Sequence, residues 1–152
     1  MTNHLVFFVY LIIASGFFSL IEIQSEGQNG WAAKFPTWKI ENQWTRRFLN
    51  GKPLTGYHFY FLLFMFCIAH LPYGLGFIPV SLSSELRILA FVTFFFIVED
   101  FLWFVFNPAF GIKKFTPTDI WWHAPNWWWI MPRAYWVYMP IAIALYVLSY
   151  VV

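Results

Sequence analysis

Six residues in this chain pair acid or imidazole chemistry with apolar surroundings: Glu22, Glu26, His58, Glu99, Asp100 and His123. Glu99 and Asp100 interrupt a long apolar run that otherwise reads Phe94-Phe95-Phe96-Ile97-Val98 before them and Phe101-Leu102-Trp103 after them. Glu22 and Glu26 close another apolar run, and their i, i+4 spacing puts both on one helix face. His58 opens a third run, and His123 sits between Trp121-Trp122 and Trp127-Trp128-Trp129. An ionisable group at the centre of a membrane-spanning helix costs ~2.5–3.5 kcal/mol or more, so each needs a partner or a role. Carboxylate oxygens with imidazole nitrogens suit a divalent metal such as Fe, Mn or Zn. Thiolate chemistry is disfavoured because Cys67, the sole cysteine, lies elsewhere. A metal at these six residues would activate water or dioxygen, with Glu99, Asp100 and His123 as the catalytic candidates.

Plainer roles compete for the same residues. Glu22 and Glu26 can end a helix at the headgroups, and Glu99 can be protonated or paired with Arg46, Arg47 or Arg133. His123 can serve as an interfacial anchor. The same ligand tally occurs in four-helix di-iron carboxylate proteins, but no Glu-x-x-His is present. Four histidines are also too few for the boxes of histidine-rich membrane hydroxylases. A haem between His4 and His70, or between His58 and His123, is a further ligand option. It leaves the four carboxylates unexplained and ranks below a bare metal.

The elements that would position these groups follow from composition. Hydrophobic residues make up 61% of the chain and charged residues 11%, against about 25% charged in a soluble domain. Lipid must therefore solvate much of the surface. Four stretches approach the ~20 apolar residues needed to span a bilayer: approximately 5–23, 57–78, 86–106 and 134–152. The expectation is one all-α domain, 1–152, of four transmembrane helices. The first stretch has no Lys or Arg ahead of it, so it reads as a span rather than a signal peptide. Lys34, Lys39, Arg46, Arg47 and Lys52 fall in one long loop and Lys113, Lys114 and Arg133 in the other, with Arg87 alone on the opposite side. By the positive-inside bias both long loops are cytoplasmic and the termini outside. All ten tryptophans share the loop side, which places those loops in the interface. Asn126 or Asp119 is a candidate cap for a short interfacial helix there.

A faint repeat links the halves. Phe17-Phe18 leads to Glu22 as Phe95-Phe96 leads to Glu99, and Lys34-Phe35-Pro36-Thr37 is echoed by Lys114-Phe115-Thr116-Pro117-Thr118. Two repeated hairpins would make Glu22 and Glu99 equivalent. Arg46 and Arg47 suit a lipid headgroup, and Trp122 and Trp127 an apolar substrate slot. A net charge of +2 gives no footing for nucleic acid. The resulting expectation is a metal-dependent membrane enzyme acting on a lipid or other apolar substrate from the cytoplasmic leaflet. The alternatives are an oligomeric ion or proton transporter using Glu99 and Asp100, here a homo-oligomer because four short helices enclose little, and an assembly subunit.

Overall fold

Apolar stretches of this length and composition fold as helices, since only a helix satisfies every backbone group within its own segment. The computed structural model describes residues 4–49 and 51–152, and helix accounts for 64% of the described residues. The helices are α1 (His4–Glu26), α2 (Gln43–Phe48), α3 (Gly56–Gly74), α4 (Leu82–Phe106) and α5 (Arg133–Leu148). Two of them, α1 and α4, are long and apolar enough to cross a membrane. The two long loops, the first between α1 and α3 and the third between α4 and α5, each carry a two-residue antiparallel ladder. β1 (Lys39–Ile40) pairs with β2 (Leu54–Thr55), and β3 (Trp127–Trp128) pairs with β4 (Met131–Pro132). Each ladder delivers the chain straight into the following helix.

Helix α4 is the centre of the fold, packed along α1 on one side and α5 on the other, while α3 leans on it more loosely. The α1 face that meets α4 is Leu11, Ser15, Ser19, Ile23 and Glu26, a stripe at helical spacing. Ser15 and Ser19 are wholly buried, and side chains this small let two helix backbones approach closely. Ser15 Oγ donates to the Phe95 carbonyl at 3.2 Å, tying the pair together at mid-length. One core lies there, around Leu11, Phe94, Phe95, Ala142 and Tyr146. A second lies at the loop end, where Ile23, Trp103, Phe104, Ile120 and Trp122 interlock. Asn107, which ends α4, donates to the Gly27 carbonyl at 2.7 Å and so joins the ends of α1 and α4.

Several local expectations change. The third loop forms two short 3₁₀ turns, Ile112–Lys114 and Ala124–Asn126, in place of an interfacial helix. The capping motif sits in the first loop. Asn42 Oδ1 accepts from the Thr45 amide while Thr45 Oγ1 accepts from the Asn42 amide, each at 2.9 Å, and this starts α2. Trp122 is buried in the second core and does not line an open slot. Its ring lies on Gly30, where an added Cβ would meet it at 2.4 Å.

Gly30 has φ +61, and Trp31 and Ala32 continue the left-handed turn at +48 and +47. Gly30→Ala should therefore cost roughly 2–4 kcal/mol, combining left-handed strain with overpacking against Trp122. Gly27→Ala, at φ +60 but in open space, should cost only about 1–2 kcal/mol. Thermal unfolding of the two variants in one detergent checks the order.

Candidate metal centre

The left-handed turn exists to hold a carboxylate. Successive backbone N–H groups in this conformation form an anion-binding nest, and Glu26 at the end of α1 fills it. Glu26 Oε1 accepts from the Ala32 amide at 2.5 Å and its carboxylate also takes the Trp31 amide. Trp31 is thereby placed flat against the His58 ring, with centroids 4.1 Å apart. The Lys52 ammonium covers the other side of the system at 3.7 Å from the Trp31 centroid. Trp31 Nε1 donates to the Pro53 carbonyl at 2.9 Å, which fixes the indole.

The start of α3 is equally constrained. The Gly56 amide donates to the Trp38 carbonyl at 2.9 Å, the Tyr57 amide to Thr37 Oγ1 at 3.0 Å and the His58 amide to Thr55 Oγ1 at 3.2 Å. These contacts satisfy donors that a helix N-terminus leaves open. They also aim two side chains at α1. Tyr57 Oη donates to Glu22 Oε1 at 2.9 Å. His58 Nδ1 is held by Thr55 Oγ1 at 2.6 Å, so Nε2 is the ring nitrogen left for a ligand. One potential ligand atom each from Glu22, Glu26 and His58 lies within 4.8 Å of the others.

The remaining three predicted ligands come from α4 and the third loop. Glu99 is 6% exposed, its carboxyl lies against that of Glu22, and its Oε1 has no hydrogen-bond partner among the described residues. Asp100 turns to another side, as the 100° step between adjacent helix residues requires. Its Oδ2 accepts from Tyr135 Oη at 2.5 Å and lies 3.3 Å from His123 Nε2. All six residues gather at one end of the bundle, in two adjoining groups.

Other predicted residues lie apart. Arg46 and Arg47 are exposed in the last turn of α2 and form no ion pair among the described residues. There they complement the helix's negative end. Arg133 stacks over Trp128 at 5.2 Å. Trp127 is half-buried against Phe115 and donates to the Trp129 carbonyl. At the far end, His4 Nδ1 meets Tyr146 Oη at 2.6 Å. Both nitrogens of His70 are engaged, by the Phe66 carbonyl at 2.7 Å and by Glu85 at 3.1 Å.

Tyr57 and Tyr135 belong to the site and carried no signal as isolated residues, while Lys52 read only as one of the loop's cations. A repeat could have found the tyrosines. The gapless alignment that superposes Phe17-Phe18 on Phe95-Phe96 also superposes Glu22 on Asp100 and Tyr57 on Tyr135. Each tyrosine binds its carboxylate across the same separation, 35 residues. In that alignment Asp100, rather than Glu99, stands opposite Glu22. Beside this centre, an open groove of about 610 Å³ runs between the first loop and α3, lined by Phe35, Trp38, Tyr57, Tyr60, Phe61 and Phe64 among others. Tyr57 belongs to both groove and centre. Comparison with known protein families, curated proteins and solved structures gives no match.

Burial pushes the Lys52 amine down to about 8, against the pull of Asp100 in the other direction. Between about pH 8 and the ordinary lysine value of 10.5 the unfolded chain holds this proton and the folded one does not. Stability from this group therefore rises with pH across that window and is lowest below it. Lys52→Met keeps the stem over Trp31 and should flatten the rise, as denaturation followed from pH 7.5 to 10.5 would register.

Proposed function

We propose that this chain is a four-pass membrane metalloenzyme that acts on a lipid or other apolar substrate at the cytoplasmic leaflet. The observation that carries the reading is the Glu22, Glu26 and His58 group, in which three potential ligand atoms converge within 4.8 Å. Their anchors have the form expected around a metal. Ligands are commonly oriented by an outer hydrogen bond, and Tyr57 on Glu22, Thr55 on His58 and the Ala32 amide on Glu26 each supply one. A bound divalent ion would acidify a water or polarise a substrate oxygen. Glu99, buried against Glu22 and with one oxygen unengaged, lies beside this group.

Solvation by lipid is supported by the outward faces of the helices. Only 28% of the most apolar stretch of α1, and 44% of that of α4, is buried inside the protein. On α3 the exposed side chains include Tyr60, Leu62, Leu63, Phe64 and Phe66. A soluble monomer rarely leaves so large an apolar surface open. In this reading α3 and α5 complete the four passes, and the groove beside Tyr57 admits the apolar body of the substrate from the bilayer. It replaces Trp122 as the expected wall, since Trp122 is packed inside. Transport fits less well. Beyond Glu99, the Thr93 hydroxyl turns back to the Leu89 carbonyl of its own helix at 2.7 Å and marks no polar path onward.

Two measurements test the reading. Elemental analysis of detergent-purified protein should find bound Fe, Mn or Zn, and Glu26→Gln or His58→Ala should weaken its retention at least ~10-fold. Gln can still accept the Ala32 amide, so that variant preserves the turn. Glu41→Gln, on the exposed first loop, is the control. Protein that binds none of these metals after reconstitution would rule the enzyme reading out. For orientation, single cysteines in a Cys67→Ser background should react with an impermeant maleimide on intact cells at Pro79→Cys but not at Lys113→Cys. The reverse pattern would invert the topology.

A further inference from the structure

The first ligand group uses only half of the acid and imidazole residues at this end of the bundle. We propose that Asp100 and His123 form a second metal subsite beside Glu22, Glu26 and His58, so that the centre takes two divalent cations with Glu99 between them. The inference rests on the metal-binding reading of the first group and extends it.

Three independent observations support the second subsite. His123 Nε2 lies 3.3 Å from Asp100 Oδ2, is sealed from water and has no other polar partner among the described residues. Two such atoms on one tetrahedral ion, with bonds near 2.0–2.1 Å, would stand roughly 3.4 Å apart. The observed spacing is that of neighbouring ligands. The imidazole is also held in place, with Phe104 edge-on at 6.0 Å and Trp122 at 6.2 Å between ring centroids.

The second observation is the repeated anchor. Tyr135 holds Asp100 as Tyr57 holds Glu22, over the same 35-residue separation. Each half of the chain therefore offers a tyrosine-anchored carboxylate on its long helix and a histidine from the segment that follows. Third, Glu99 joins the two groups. It neighbours Asp100 in sequence, its carboxyl touches Glu22, and its buried Oε1 is unpartnered among the described residues. A carboxylate beside both groups would be suited to bridge the cations of a two-metal site.

The test loads metal-free full-length protein in detergent with Mn²⁺ alone and counts bound ions by elemental analysis, with electron paramagnetic resonance on the same sample. The expected result is two equivalents per chain and a broadened, spin-coupled signal. Asp100→Asn and His123→Gln should each leave one equivalent with the six-line signal of an isolated ion. Glu26→Gln should remove the other. One equivalent in the unmodified protein overturns the second subsite and leaves the first standing. Two equivalents with only uncoupled signals also overturn it, because the second ion then lies elsewhere. No bound Mn²⁺, and none when Zn²⁺ is substituted, overturns the metal reading as a whole. The decisive comparison is made on the unmodified chain, so a variant that fails to fold does not remove it.

Discussion

The interaction on which this end of the molecule depends is the grip of the Glu26 carboxylate on a left-handed turn. Gly30, Trp31 and Ala32 share positive φ, a conformation that costs about 1–2 kcal/mol for each residue bearing a Cβ. The Ala32 and Trp31 amides donating to Glu26 offset that strain. The turn in turn sets the Trp31 ring against His58 and under Lys52, and opens the space at Gly30 that Trp122 occupies. Both loops are positioned from one carboxylate. A glutamate at the end of α1, which could have been a simple helix terminus, is therefore structural through the oxygen that takes the Ala32 amide.

The helices supply the rigid frame for this arrangement. Ser15 and Ser19 let α1 settle closely on α4, and Asn107 locks their ends together. That fixes Glu22 and Glu99 against each other, two acids that would repel if both were charged and that a cation or a shared proton reconciles. Helix α3 is less tightly packed along its length, yet its first turn is held by Thr37, Trp38 and Thr55. This end of the molecule is thus tightly organised around Glu22, Glu26 and His58 and open where α3 faces outward beside the aromatic groove.

The halves of the chain share their local parts more than their packing. Each runs from a long helix through a loop with a short ladder into a proline-containing helix, with Pro72 in α3 and Pro140 in α5. Each anchors an acid with a tyrosine. Yet α5 is packed along α4 while α3 stands off, so the two anchored acids sit in different surroundings. Glu22 meets Glu26 and His58, whereas Asp100 meets His123.

The sequence by itself determined the helical class, because an apolar run of this length satisfies its backbone groups within its own segment only as a helix. It also determined that Glu22, Glu26, His58, Glu99, Asp100 and His123 required an explanation, since buried charge is costly wherever it lies. Their gathering at one end was legible from the spacing of apolar runs. Pattern could not decide which would meet. That Glu99 faces Glu22 while Asp100 faces His123 and Tyr135 depends on the rotation of α4 about its axis, set by packing against α1 and α5. Tyr57 and Tyr135 were invisible as isolated residues among so many aromatics, and Trp122 looked like an interfacial ring until the glycine beneath it was seen. Arg46 and Arg47 lie exposed in α2, apart from the acid and imidazole groups, because charge clustering in sequence does not set distance in space. Those outcomes are long-range, and only the tertiary structure brings residues such as Glu26, Trp31 and His58 into a single arrangement.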